Sequence, residues 1–187
     1  CPGRERMSDA MNRRMAAGLA LALALAGCEP ELGPCEPSEA RRLVYDESGR
    51  PAYEGQASMI RSCGYGAFCH SPGIDPEARF GAPAGLDYDL RLAGADGQPD
   101  EASTARLAEM HQRAFAQRRR IWREVQLGTM PPPGEAGRTV VESGPRYQRL
   151  DPVSGEGTPL PSLQEEAGRE ILRNWLACGM PSVERAE

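Results

Sequence analysis

The segment Cys63-Gly-Tyr-Gly-Ala-Phe-Cys69-His70 places two thiols and an imidazole within eight residues, and Met130 follows in Gly128-Thr-Met130-Pro-Pro-Pro. Two cysteines ending in an adjacent histidine are the residue set of covalent haem attachment. The thiols add to the haem vinyl groups, and the neighbouring imidazole is then held under the iron. The usual signature, C-x-x-C-H, has two residues between the thiols; this chain has five. A methionine in a proline-stiffened loop is suited to the second axial position, and His/Met ligation raises the reduction potential. The residues therefore predict haem c attached through Cys63 and Cys69, or through Cys69 alone, with iron ligands His70 and Met130.

Each of these residues also has a plainer use. A Cys63–Cys69 disulfide would clamp a small loop, and Met130 could fill a packing gap. Met59 and Met180 are substitutes for Met130, less well placed. The other histidine of the chain, His111, reads as an interfacial residue of a helix. Zinc on Cys63, Cys69, His70 and His111 has an acceptable ligand set, but adjacent Cys and His close a tetrahedron awkwardly. No Ser-His-Asp set, paired carboxylate site or phosphate loop is visible, so no enzyme activity is expected.

Residues 1–10 are polar and patternless and read as sequence upstream of a start at Met11. Residues 11–27 combine the basic Met11-Asn-Arg13-Arg14-Met15 with a short apolar run, Ala16 to Ala26, too short to span a bilayer. The run ends in Leu25-Ala26-Gly27-Cys28, which resembles a bacterial lipobox. That resemblance implies cleavage before Cys28 and acylation of it, and several acyl chains on one residue make a stable membrane anchor. The expected location is the bacterial cell envelope, as a periplasmic or outer-membrane lipoprotein.

The chain has a net charge of −5 and all its basic side chains are Arg, with no Lys. An acidic balance argues against nucleic acid as a partner, because phosphate binding wants a basic face. Arg118, Arg119, Arg120 and Arg123 read as a solvated helix face, with haem propionates or a partner protein as the alternative. Export permits disulfides. With Cys28 acylated, Cys35, Cys63, Cys69 and Cys178 remain. If Cys63 and Cys69 hold haem, Cys35 and Cys178 are left as one disulfide; otherwise two disulfides can form in three pairings. The sequence does not choose between these.

The elements that must position these groups are mostly helical. Residues 28–50 are rich in Glu, Pro and Gly and predict a tether; residues 51–187 predict one domain. Pro51–Ser62 suits a short helix leading into the Cys63 loop. Ser103–Leu127 predicts a helix with Leu107, Met110, Ala114, Ile121 and Val125 on one stripe, Phe115 and Trp122 beside it. Gly128 sits where positive φ ends a helix, and Pro131 forbids continuation. Ser162–Cys178 predicts a final helix, opened by a Ser162/Glu165 capping box and closed by Gly179 and Pro181. Residues 71–92 and 134–161 read as loops. With almost no alternating pattern, the expectation is an all-α domain.

In this order and spacing the chain resembles the cytochrome c family over about Ala57 to Pro181. The matching landmarks are a helix ending in Cys63…Cys69-His70, a loop with Pro83 and Gly85-Leu86-Asp87, the Ile121-Trp122…Gly128-Thr-Met130-Pro131 segment, and the terminal Ile171…Trp175 helix with Gly179 and Pro181. The resemblance implies a single-haem domain acting in electron transfer between redox partner proteins. It also implies that the terminal helix packs across the first, and that Pro83 lies beside the proximal histidine. A different class of function remains open: a haem-free structural or binding lipoprotein on cytochrome-like helices, held by disulfides.

Overall fold

The computed structural model describes residues 30–64, 70–71, 76–79, 82, 85–90, 101–130 and 145–183. The signal segment, Cys28, Cys69 and Pro83 lie outside these residues.

The expected all-α architecture is corrected by a four-stranded antiparallel sheet of order β2-β1-β3-β4. β1 (Leu43–Tyr45) and β2 (Pro51–Tyr53) form a hairpin, with Val44 opposite Ala52 and both buried. Asp46 organises its turn, its Oδ1 accepting the N–H groups of Ser48 at 2.8 Å and Arg50 at 2.9 Å. β3 (Gln148–Leu150) meets β1 at Tyr45 and pairs with β4 (Gly157–Pro159) from Gln148↔Pro159 to Leu150↔Gly157. Each strand is three residues long. That is shorter than the four to eight residues over which a period of two becomes readable, which is why the sequence pattern concealed them. Part of the expected helix over Pro51–Ser62 is therefore strand, and part of the 134–161 loop is a hairpin.

Five α-helices accompany the sheet in the described residues: α1 (Pro37–Ala40), α2 (Glu54–Met59), α3 (Glu101–Ala116), α4 (Arg118–Gln126) and α5 (Glu166–Ala177). α2 is buried along its whole length and runs on as a wider π-turn, Ile60–Gly64, that delivers Cys63. The helix expected over Ser103–Leu127 is broken at Gln117, whose N–H reaches back three residues to Ala114. Its predicted stripe is nonetheless buried at Leu107, Met110, Ala114, Ile121 and Val125, with Trp122, while Phe115 is exposed. α5 starts later than expected. The Ser162 Oγ accepts the N–H of Gln164 and the Glu165 carboxylate accepts the N–H of Ser162, so the predicted box forms one turn ahead of the helix.

The core lies where α5 crosses α2. A Cβ on Gly55 would stand 2.1 Å from the Trp175 Cβ, so only glycine lets the two helices approach this closely. Trp175, Leu172, Leu176, Met59 and Ile60 fill that crossing and are fully buried. The Trp175 indole N–H donates to the Pro181 carbonyl at 2.7 Å. Buried Glu54 ties the sheet to the helices through an ion pair with Arg149 of β3.

The stretch read as a tether contributes structure from residue 30 onward. Leu32 and Ala40 are buried, and Cys35 is disulfide-bonded to Cys178 at the end of α5. The Asn174 side chain accepts the Glu36 N–H at 2.8 Å and donates to the Glu36 carbonyl at 3.0 Å.

Candidate functional site

Three of the four predicted site residues, Cys63, His70 and Met130, line one cavity of about 260 Å³. Its wall is completed by Leu86, Tyr88, Arg120, Ile121, Glu124 and Val125, among others. The volume falls just below the roughly 300–1,000 Å³ of small-molecule and cofactor sites, while the mix of an apolar wall with a few polar groups is typical of them. They arrive from separate stretches: Cys63 on the π-turn after α2, His70 and Tyr88 on non-helical positions between that turn and α3, and Met130 just past α4. Cys69 lies outside the described residues.

His70 is buried and its ring is fixed. Nδ1 lies 2.8 Å from the Leu86 carbonyl, which can only accept, so Nδ1 carries the proton. In the neutral ring the lone pair is then on Nε2, the arrangement found when histidine binds a metal and its other nitrogen is held by a carbonyl. Burial pushes the His70 pKa below its ordinary value, and the nearby Arg79 adds to this; the Leu86 bond and Asp87 oppose it. A neutral imidazole is the form that ligates. The Tyr88 ring packs on the imidazole, centroids 4.4 Å apart, and the Tyr88 N–H donates to the His70 carbonyl at 2.8 Å. Burial pushes the Tyr88 phenol upward, reinforced by Cys63 and opposed by Arg120. That phenol stays protonated at neutral pH.

Arg79 shapes the loop around His70. It is buried, and its guanidinium donates to the carbonyls of Ser71, Ala82 and Leu86, each at 3.3 Å, and to Asp87 at 3.1 Å. The same Leu86 oxygen thus receives both Arg79 and the His70 ring. Sequence reasoning passed over Arg79, Leu86, Tyr88 and Glu124 as site residues. A backbone carbonyl acceptor leaves no mark in the sequence; an Arg inside a Gly/Pro-rich loop was the one available signal.

Other predicted residues fall elsewhere. Met59 and Met180 are fully buried and do not line the cavity. His111 is half-buried and its Nε2 donates to the Met180 carbonyl at 2.6 Å, which fits an interfacial residue. Among the described residues no group of three or more His, Cys, Asp or Glu could hold a metal ion, which gives the zinc set no support there. Of the four arginines, Arg120 lines the cavity, and Arg118 stacks over the Phe115 ring at 4.0 Å. Cys63 carries a thiol, and Cys35–Cys178 is the disulfide seen among the described residues. No described helix is long and apolar enough to cross a membrane.

Compared with known proteins, the chain matches no family model, no curated protein and no solved structure.

Proposed function

We propose that the chain is an exported lipoprotein whose domain holds one c-type haem and works in electron transfer. The observation that carries this reading is the meeting of Cys63, His70 and Met130 on a single cavity. Those side chains come from positions up to 67 residues apart in the sequence, and each is of the type the haem site needs. The donor chemistry fits as well. The Nδ1 of His70 is committed to a carbonyl, which leaves Nε2 for iron, and a thioether and a thiol share the same wall.

Haem held there would supply a one-electron couple. The chain supplies the rest. Cys63 and Cys69 would tether the ring, while the Leu86 carbonyl and Tyr88 hold the imidazole at one angle. Leu86, Ile121 and Val125 give the cavity an apolar wall, and Arg120 would offer a cation to carboxylates. The gap of five residues between the thiols is the departure from the usual attachment signature. In this reading acylated Cys28 anchors the protein in the cell envelope, and its partners are redox proteins, not nucleic acid.

The test is to express the chain with its signal and a haem-maturation system, denature the product and record a pyridine haemochrome spectrum. A c-type spectrum that survives acid extraction supports covalent haem. A folded, colourless protein overturns it. The second reading, a haem-free lipoprotein held by disulfides, is favoured by one observation, a cavity of about 260 Å³ that falls below the roughly 300–1,000 Å³ of small-molecule and cofactor sites; the Cys35–Cys178 bond is common to both readings. It predicts that colourless outcome.

A further inference from the structure

The last turn of α4 ends in hydrogen bonds that converge on Glu124. Gly128, at φ +67°, reverses the chain and donates its N–H to the Val125 carbonyl at 3.1 Å. The Glu124 carbonyl accepts the N–H of Thr129 at 3.0 Å and that of Met130 at 3.2 Å. Together these are a Schellman closure with one bond added. The Thr129 hydroxyl lies 2.9 Å from the same carbonyl and 2.6 Å from the Glu124 carboxylate. A hydroxyl has one proton, and the carbonyl already serves two N–H donors. The proton therefore goes to the charged, closer oxygen, which is the stronger acceptor. Pro131, next in sequence, has no N–H and adds no backbone donor of its own. Glu124 lines the same cavity as Met130.

We propose that Glu124 and Thr129 form a latch that keeps Met130 at the cavity, and that, with haem bound, releasing it would open the iron position Met130 would fill to a small diatomic ligand. The iron in this statement rests on the haem reading above; the latch itself does not. Both are positioning residues, acting on the thioether through the chain that carries it. Thr129→Val removes the hydroxyl bonds while keeping shape, Glu124→Gln keeps an acceptor but loses the charge, and Thr129→Ser restores the hydroxyl.

The experiment has two arms. In haem-free, folded protein, hydrogen peroxide converts Met130 to the sulfoxide, followed by mass spectrometry with fully buried Met59 and Met180 as internal references. Thr129→Val is expected to speed Met130 oxidation about two- to threefold, the effect of one lost solvent-exposed hydrogen bond. Glu124→Gln should fall between, and Thr129→Ser should match the parent. In haem-loaded protein, carbon monoxide binding to the ferrous form should accelerate in the same order. An unchanged Met130 rate in Thr129→Val overturns the latch. So does equal acceleration at Met59, which would mean general unfolding. A missing haem spectrum with a responsive Met130 would sink the haem reading and leave the latch standing.

Discussion

His70 and Met130 make separable demands on the site. Under the haem reading, His70→Ala should abolish the low-spin ferrous spectrum. Met130→Ala should keep the haem but lower the reduction potential, since thioether ligation raises it; spectroelectrochemistry of both variants checks this. A second expectation needs no haem. Burial holds the His70 pKa below its ordinary value of 6.5. Through the window below 6.5 the unfolded chain binds a proton that the folded chain does not, so stability falls as pH drops through that window. The urea midpoint of the haem-free protein should therefore decline from about pH 7 to about pH 5 more steeply than in His70→Gln, which lacks the titrating ring. Parallel curves would remove His70 from the account. At this scale the sequence was informative because histidine is rare here and one of the two adjoins Cys69. It was silent on the Leu86 carbonyl, because every residue has a carbonyl and only folding selects one.

Among the elements, legibility followed length. α3, α4 and α5 repeat their apolar residues over several turns, and such repetition is what marks a helix in a bare sequence. The strands have no such repetition, and two of them sit in Gly/Pro-containing stretches that look like loop. The break at Gln117 has no proline or glycine to announce it. The α2–α5 crossing offers the sharpest test of packing. Gly55→Ala would press a methyl to 2.1 Å from the Trp175 Cβ, and backbone-attached atoms on both sides leave little room to give. Overpacking of this kind costs about 1–3 kcal/mol, so thermal unfolding should fall by several degrees. A melting temperature unchanged from the parent would mean that the helices can slide apart freely.

For the molecule as a whole, the Cys35–Cys178 bond joins residues 143 positions apart. Closing so long a span removes much of the unfolded chain's freedom, and in the chain-entropy account is worth about 5 kcal/mol. The double variant Cys35→Ser/Cys178→Ser should lose roughly 2–5 kcal/mol in denaturant unfolding. A loss under about 1 kcal/mol would mean that the hydrogen bonds from Asn174 and Arg173 to the 32–36 segment hold the ends together unaided. The pairing was among those the cysteine inventory allowed. What the inventory could not supply was the docking of the 30s against the last helix, which comes from apolar Leu32 and paired backbone groups in a stretch whose composition suggests solvent.

The same bond also sets a mechanical route through the fold. If the chain is pulled from a point ahead of residue 35 and a point beyond residue 178, tension crosses directly from one sulfur to the other. The sheet, the cavity and the Met130 loop all lie between those two positions in sequence. They are bypassed like a branch shorted out of a circuit, and stay slack until the covalent link is reduced.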